Sequence, residues 1–161
     1  MARLYTNHTI LVEPLKLLIM KRKESKTPSY KCIWQKALEA LDYVGFADFA
    51  DRPGNALSFG QQRIIEIART LIFEPKVVLL DEPAVGLSVT RVAELESLLK
   101  KIRDERGVTL IMIEHVIRLV MGVSDRIIVL SSGRKIAEGT PEEVRNNPEV
   151  IEAYLGHQKH A

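Results

Sequence analysis

Nine glycines occur in the chain and none is followed by lysine, so no Gly-x-x-x-x-Gly-Lys-Ser/Thr phosphate loop exists within these 161 residues. Cysteine is almost absent. Cys32 stands alone, which excludes an internal disulfide, favours a reducing compartment and reads as a packing residue rather than a nucleophile. Long apolar runs are missing too. The stretch 10–20 is broken by Glu13, Pro14 and Lys16, no later run reaches the roughly 18 residues a membrane span needs, and no small-residue cleavage site follows it. A cytoplasmic chain is the expectation. Neither sign of charge dominates, since 23 basic side chains face 21 acidic ones for a net +2, and nucleic acid is therefore not an expected partner.

What is present suits a globular domain. Apolar residues make up 46% of the chain, too many for a disordered one, and a chain of this size buries roughly 70% of its unfolded surface in one core. The clearest basic cluster, Lys21-Arg22-Lys23 with Lys26 and Lys31, reads as a solvated face or as a contact with phosphate groups or a partner.

Apolar residues Ile33, Trp34, Ala37, Leu38 and Leu41 recur at helical spacing over 30–44, with Gly45 as the stop. Asp51-Arg52-Pro53-Gly54-Asn55 reads as a turn. Ser58 followed three residues later by Gln61 has the form of a capping box, and Ile64, Ile65, Ile67, Ala68, Leu71 and Ile72 supply the stripe of a helix that stops before Pro75. Residues 77–80 and 108–113 are short continuous apolar runs, expected as strands buried on both faces of a parallel sheet. Between them Val92, Leu95, Leu98, Leu99 and Ile102 line a helix ending by Gly107, which makes a β-α-β unit. A short helix over 116–121 and a strand over 126–130 follow, and Ser132-Gly133 turns the chain into a hairpin with residues 135–137. Thr140-Pro141-Glu142-Glu143 and Asn147-Pro148-Glu149 start two further helices, the last stopping near Gly156.

Three places could carry chemistry. Asp81 and Glu82 end a parallel strand, where open α/β sheets bind ligands; they are either an acidic turn or a magnesium-holding aspartate beside a proton-accepting carboxylate. His115 takes the equivalent place after the neighbouring strand, as a loop residue or as a group that donates to a phosphate. Ser58 with Gly60 opens a helix, either as a plain cap or as an anion site.

Taken together, Leu57-Ser58-Phe59-Gly60-Gln61-Gln62-Arg63, the run 77–83 ending in Asp81-Glu82-Pro83, and Glu114-His115 resemble, in order and spacing, the signature motif, Walker B motif and switch histidine of ATP-binding cassette ATPases. The likeness continues through Val120-Met121-Gly122-Val123-Ser124-Asp125-Arg126 and Gly139-Thr140-Pro141 to Tyr154-Leu155-Gly156, a tail similar to that of branched-chain amino acid importers. It covers 36–156 well and 4–13 more weakly; Val116 and Ser88 stand where the family has an aspartate and an Asp or Asn.

The resemblance implies an α/β fold, the C-terminal portion of a P-loop NTPase, with an incomplete, mainly parallel sheet plus a helical subdomain. Residues 1–75 would be the helical signature subdomain and 76–161 the Walker B and switch half of the nucleotide-binding core. It implies ATP and Mg²⁺ as ligands. Ser58, Phe59, Gly60, Gln61 and Ser88 would touch nucleotide or the opposing subunit, Asp81 would position magnesium, Glu82 would act as general base and His115 would contact the γ-phosphate. Implied partners are a second ATP-binding subunit and transmembrane permease subunits at the inner face of the membrane. Because the family sets its phosphate-loop strand between the strands matching 108–113 and 126–130, the chain is expected to lack that strand, to be marginally stable alone, and to bind ATP weakly or not at all. The rival expectations are a non-catalytic fragment that pairs with a complete ATPase and a cassette for urea or lipopolysaccharide. A DNA-repair ATPase would carry long heptads or zinc cysteines, and neither is in the sequence.

Overall fold

A computed structural model describes residues 28–155. The basic cluster 21–26, the apolar stretch 10–20, the weak likeness over 4–13 and the stop at Gly156 lie outside the described residues. The chain divides into two units, Met1–Met112 and Ile113–Ala161.

In the first unit, α1 (Pro28–Tyr43) ends where the periodic pattern does, because Gly45 takes a left-handed φ of 76° and Phe46 N donates back to Leu41 O at 2.8 Å. Short 3₁₀ turns at Ala47–Phe49 and Gly54–Ala56 lead to α2 (Phe59–Leu71). The expected turn at 51–55 is thus half realised, with Pro53 as the extended residue that opens the second 3₁₀ turn. Leu41, Ala50 and Ile65 form the buried centre of this helical part, with Leu38, Phe46 and Leu57 packed around them.

Strand β1 (Val77–Asp81), helix α3 (Val89–Arg106) and strand β2 (Thr109–Ile113) follow as a β-α-β unit, β1 and β2 pairing in parallel. Thr109 N donates to Lys76 O at 2.9 Å, a parallel-ladder bond whose register sets Val77, Leu79 and Ile111 on one face. α3 buries Leu95, Leu99 and Ile102 completely, and burying such a side chain contributes roughly 1.5–3 kcal/mol. A staple ties α1 to α3: Tyr43 Oη donates to Lys101 O at 3.2 Å, Lys101 Nζ donates to Tyr43 O at 3.0 Å, and the Lys101 and Arg106 cations each lie 4.2 Å from the Tyr43 ring centroid. Burial, then the bond and charge of Glu105, push the Tyr43 phenol above its ordinary pKa.

The second unit contains α4 (Ile117–Val123), the antiparallel hairpin β3 (Ile127–Ser131) and β4 (Arg134–Gly139), α5 (Pro141–Arg145) and α6 (Pro148–Leu155). The hairpin pairs Ile128 with Glu138 and Val129 with Ala137, with an irregularity between Val129 and Leu130. Its core is Ile127, Ala137, Val144 and Val150. No helix among the described residues is long and apolar enough to cross a membrane.

Two expectations are corrected. Strands β1 and β2 are not buried on both faces: Val78 is buried, but Val77, Leu79, Ile111 and Ile113 are exposed, because only one face of each strand meets a covering layer among the described residues. Cys32 is exposed rather than packed, since α1 turns the Ala37, Ala40 and Leu41 side inward.

Candidate nucleotide site

Ser58 is the N-cap of α2. Its hydroxyl accepts from Gln61 N at 3.4 Å while Gln61 Oε1 accepts from Ser58 N at 2.8 Å, the capping box that the spacing predicts. The approach is braced by Gln62, whose Nε2 donates to Leu57 O at 3.0 Å and Gly54 O at 3.4 Å. No local sequence signal marks this brace, because its acceptors are backbone carbonyls set by the preceding turn. α2 has no acidic residue in its first turn, so the positive end of its dipole and the N–H groups of Phe59 and Gly60 are left for an anion.

Phe59 and Gly60 meet the loop that follows β1. A Cβ on Gly86, where φ is 73°, would lie 3.2 Å from Phe59 Cε1, and one on Gly60 would lie 3.2 Å from Leu87 Cδ2. A side chain at either position would push its neighbour back by a few tenths of an ångström, and at Gly86 it would also strain the left-handed backbone. The half-exposed Phe59 ring has the Arg63 guanidinium 5.4 Å from its centroid, and Arg63 Nη1 pairs with Glu66 at 3.1 Å. Ser88, at the end of the same loop, caps α3 by accepting from Arg91 N at 3.4 Å. Residues 59–60 and 86–87, 26 or more positions apart in sequence, thus lie against each other in the first unit.

Asp81 is the last residue of β1 and is exposed. Glu82 follows it in the left-handed region, φ 44°, and is also exposed. The arrangement fits magnesium in the way that ion is usually held, by one or two carboxylates with phosphate oxygens and water completing the shell; among the described residues no three His, Cys, Asp or Glu side chains gather into a metal cage.

His115 belongs to the second unit and follows β2 with its side chain 64% exposed. Its neighbour Glu114 is the residue whose role the sequence did not disclose. The Glu114 side chain is fully buried and its Oε1 accepts from His115 N at 2.9 Å and Val116 N at 3.1 Å, with His115 Nδ1 at 3.4 Å. Val116 offers no side-chain cap to α4, and the Glu114 carboxylate does that work from outside the helix, fixing the backbone that carries His115.

Comparisons with known proteins give the family and the fold. The family profile described as "ABC transporter" matches residues 4–85, and that described as "Branched-chain amino acid ATP-binding cassette transporter" matches residues 134–160. The chain is 44% identical over 135 residues to the high-affinity branched-chain amino acid transport ATP-binding protein BraF of Pseudomonas aeruginosa, a match that covers 81% of this chain and 53% of BraF. Among solved structures it is similar to the ADP conformation of MJ1267, an ATP-binding cassette of an ABC transporter, with TM-score 0.71 and 27% identity, covering 88% of this chain and 61% of that one. It is also similar to the dimeric post-hydrolysis state of the cassette MJ0796 bound to ADP and Pi, with TM-score 0.62 and 31% identity, covering 81% and 56%. The chain spans about half the length of the curated relatives it matches.

Proposed function

Since the chain belongs to the ABC transporter ATPase family, we propose that it is the signature and Walker B portion of an ATP-binding subunit that powers uptake of branched-chain amino acids. The observation that carries this reading is the first turn of α2, a serine-capped helix start without acids that leaves its N–H groups for a phosphate. Residues 1–75 serve as the signature subdomain and 76–161 as the Walker B and switch half.

In this reading Ser58, Phe59, Gly60 and Gln61 face a nucleotide whose phosphates are cradled by a second ATP-binding subunit, and Ser88 faces that subunit. Asp81 offers an oxygen to magnesium, which when bound neutralises charge on the phosphates. Glu82 takes the proton of the attacking water, and His115, on a backbone held by Glu114, donates to the γ-phosphate oxygen. Transmembrane permease subunits receive the motion, which places the protein at the inner face of the membrane.

The test is ATP hydrolysis after the chain is combined with a polypeptide that supplies a phosphate loop. Glu82→Gln slows turnover about 10²- to 10⁴-fold while ATP still binds. An unchanged rate removes Glu82 from the role of base. The isolated chain binds ATP weakly or not at all, and tight binding by it alone contradicts the reading. One alternative has an observation of its own: the α2 start is complete in a chain without a lysine-bearing phosphate loop, which suits a non-catalytic partner lending its signature turn to a complete ATPase. Stimulation of a complete cassette by the Glu82→Gln chain, equal to that by the parent, would select it.

A further inference from the structure

The loop that follows β1 is braced from within. Val85 N donates to Glu82 O at 3.2 Å and Leu87 N donates to Ala84 O at 3.1 Å, so residues 82–87 run as two linked turns. Ala84 anchors them by its burial, and Ser88 closes the loop as the N-cap of α3. A displacement at one backbone position of such a loop is passed to the others. Gly86 is the exposed position where α2 touches it, because the edge of the Phe59 ring stands 3.2 Å from where a Cβ at 86 would be, and Leu87 meets Gly60 in the same way. The ring is held in its turn. Phe59 is the first residue of α2, and Arg63 lies one helical turn further along the same face. Its guanidinium, 5.4 Å from the ring centroid, is tied to Glu66 at 3.1 Å, and the Arg63 side chain is largely shielded from water, which strengthens its attraction to the ring.

We propose that Phe59, held by Arg63, is a positioning residue whose ring acts through Gly86 to set the 82–88 loop, and with it Glu82 and Ser88, against the first turn of α2. The roles of Glu82 and Ser88 rest on the function proposed above, whereas the contact that joins the loop to the helix does not. The two parts of Phe59 have separate tasks: its backbone N–H stays available to an anion, and its ring spaces the loop. Leucine at this position would have no ring edge at Gly86 and no π face for the guanidinium, while tyrosine would keep both.

Hydrogen exchange on the whole 161-residue chain reads the loop through the amides of Val85 and Leu87. Phe59→Leu speeds both at least about threefold, Phe59→Tyr restores the parent rates, and the α3 amides of Leu95 and Leu99 stay unchanged, which separates a loosened loop from lost folding. A double-mutant cycle then checks the path. Gly86→Ala strains the left-handed backbone in any background, but its Cβ meets the ring only where Phe59 is present, so the folding equilibrium constant falls at least about threefold more in the parent than in Phe59→Leu. Unchanged exchange overturns the proposal, and so do additive costs, which would mean that the ring yields freely and is not held. In ATP hydrolysis with a polypeptide that supplies a phosphate loop, Phe59→Leu lowers kcat about tenfold and leaves KM for ATP within about twofold, because the ring acts on the loop and not on nucleotide. An unchanged kcat, or a KM raised beyond that, overturns the positioning role. No hydrolysis by the parent combination sinks the nucleotide reading instead, and the coupling of loop to helix is still decided by exchange and by the cycle.

Discussion

Glu82 holds its carboxylate on a backbone that L-residues avoid, and the φ of 44° is the main local cost visible around the candidate site. A non-glycine residue in the left-handed region costs roughly 1–2 kcal/mol, so a neutral loop would place glycine there. The residue that stands there is the one the Walker B likeness assigns as base. Glu82→Gly and Glu82→Ala both remove the carboxylate with every contact it makes, but only glycine relaxes the torsion. Glycine also loses more freedom on folding, by about 0.5–1 kcal/mol, so the glycine variant is expected to be more stable than the alanine variant by about 0.5–1 kcal/mol in urea unfolding. Equal midpoints for the two would show that the loop relaxes away from φ 44° once the side chain is gone, and that the torsion is not imposed by the backbone on either side.

Helix starts were the most legible part of the chain, because capping is local chemistry written in three or four consecutive residues. Ser58 with Gln61 forms the reciprocal box its spacing predicts, the helix start at Thr140 holds and adds a second box with Glu143, and Asn147 caps α6 by accepting from Glu149 N at 2.9 Å. Strand positions were legible from their apolar runs, but strand burial was not, since a run such as 77–80 looks the same whether its second cover lies in this polypeptide or comes from elsewhere. Contacts between distant segments, Phe59 on Gly86 and Gln62 on the 54–57 turn, left no periodic trace at all. The second capping box carries a pH dependence. Glu143 Oε2 accepts from Thr140 N at 2.8 Å and from the Thr140 hydroxyl at 3.0 Å, and these bonds, the backbone one foremost, hold the carboxyl below its ordinary 4.5. A depressed pKa means that the stabilisation is complete above the unfolded-state value and is lost as the medium is acidified through the folded-state value. Glu143→Gln keeps an acceptor for Thr140 N but does not titrate. Urea midpoints measured from pH 6 downward should therefore fall more steeply for the parent than for Glu143→Gln below about pH 4.5. The difference between the two curves isolates this residue from Glu138, which Lys135 and then Arg126 also hold low, and from Asp104, held low by Arg103. Parallel curves would mean that Glu143 is not hydrogen-bonded as described.

At the scale of the whole molecule, stability is drawn unevenly from helices and strands. The deepest burial in the first unit lies on helices, with Ala68 and Leu71 on α2 and Leu95, Leu99 and Ile102 on α3, and the Tyr43 staple adds a tie between α1 and α3. The strands gain far less: each described sheet has two strands, and isolated two-stranded pairs are marginal in water until a further layer or strand joins them. Local opening should follow that inequality, since amides exchange through the least costly unfolding that exposes them. Native-state hydrogen exchange on the isolated chain is therefore expected to show the slowest amides in α2 and α3, with β1 and β3 exchanging at least tenfold faster despite their hydrogen bonds. Leu95→Ala, which truncates a fully buried side chain at a typical cost of 2–5 kcal/mol, should accelerate the slow set and leave β3, in the other unit, nearly unchanged. If β1 and α3 exchange together in every variant, the β-α-β segment opens as one cooperative body, and its helix already supplies the strand with all the cover it needs.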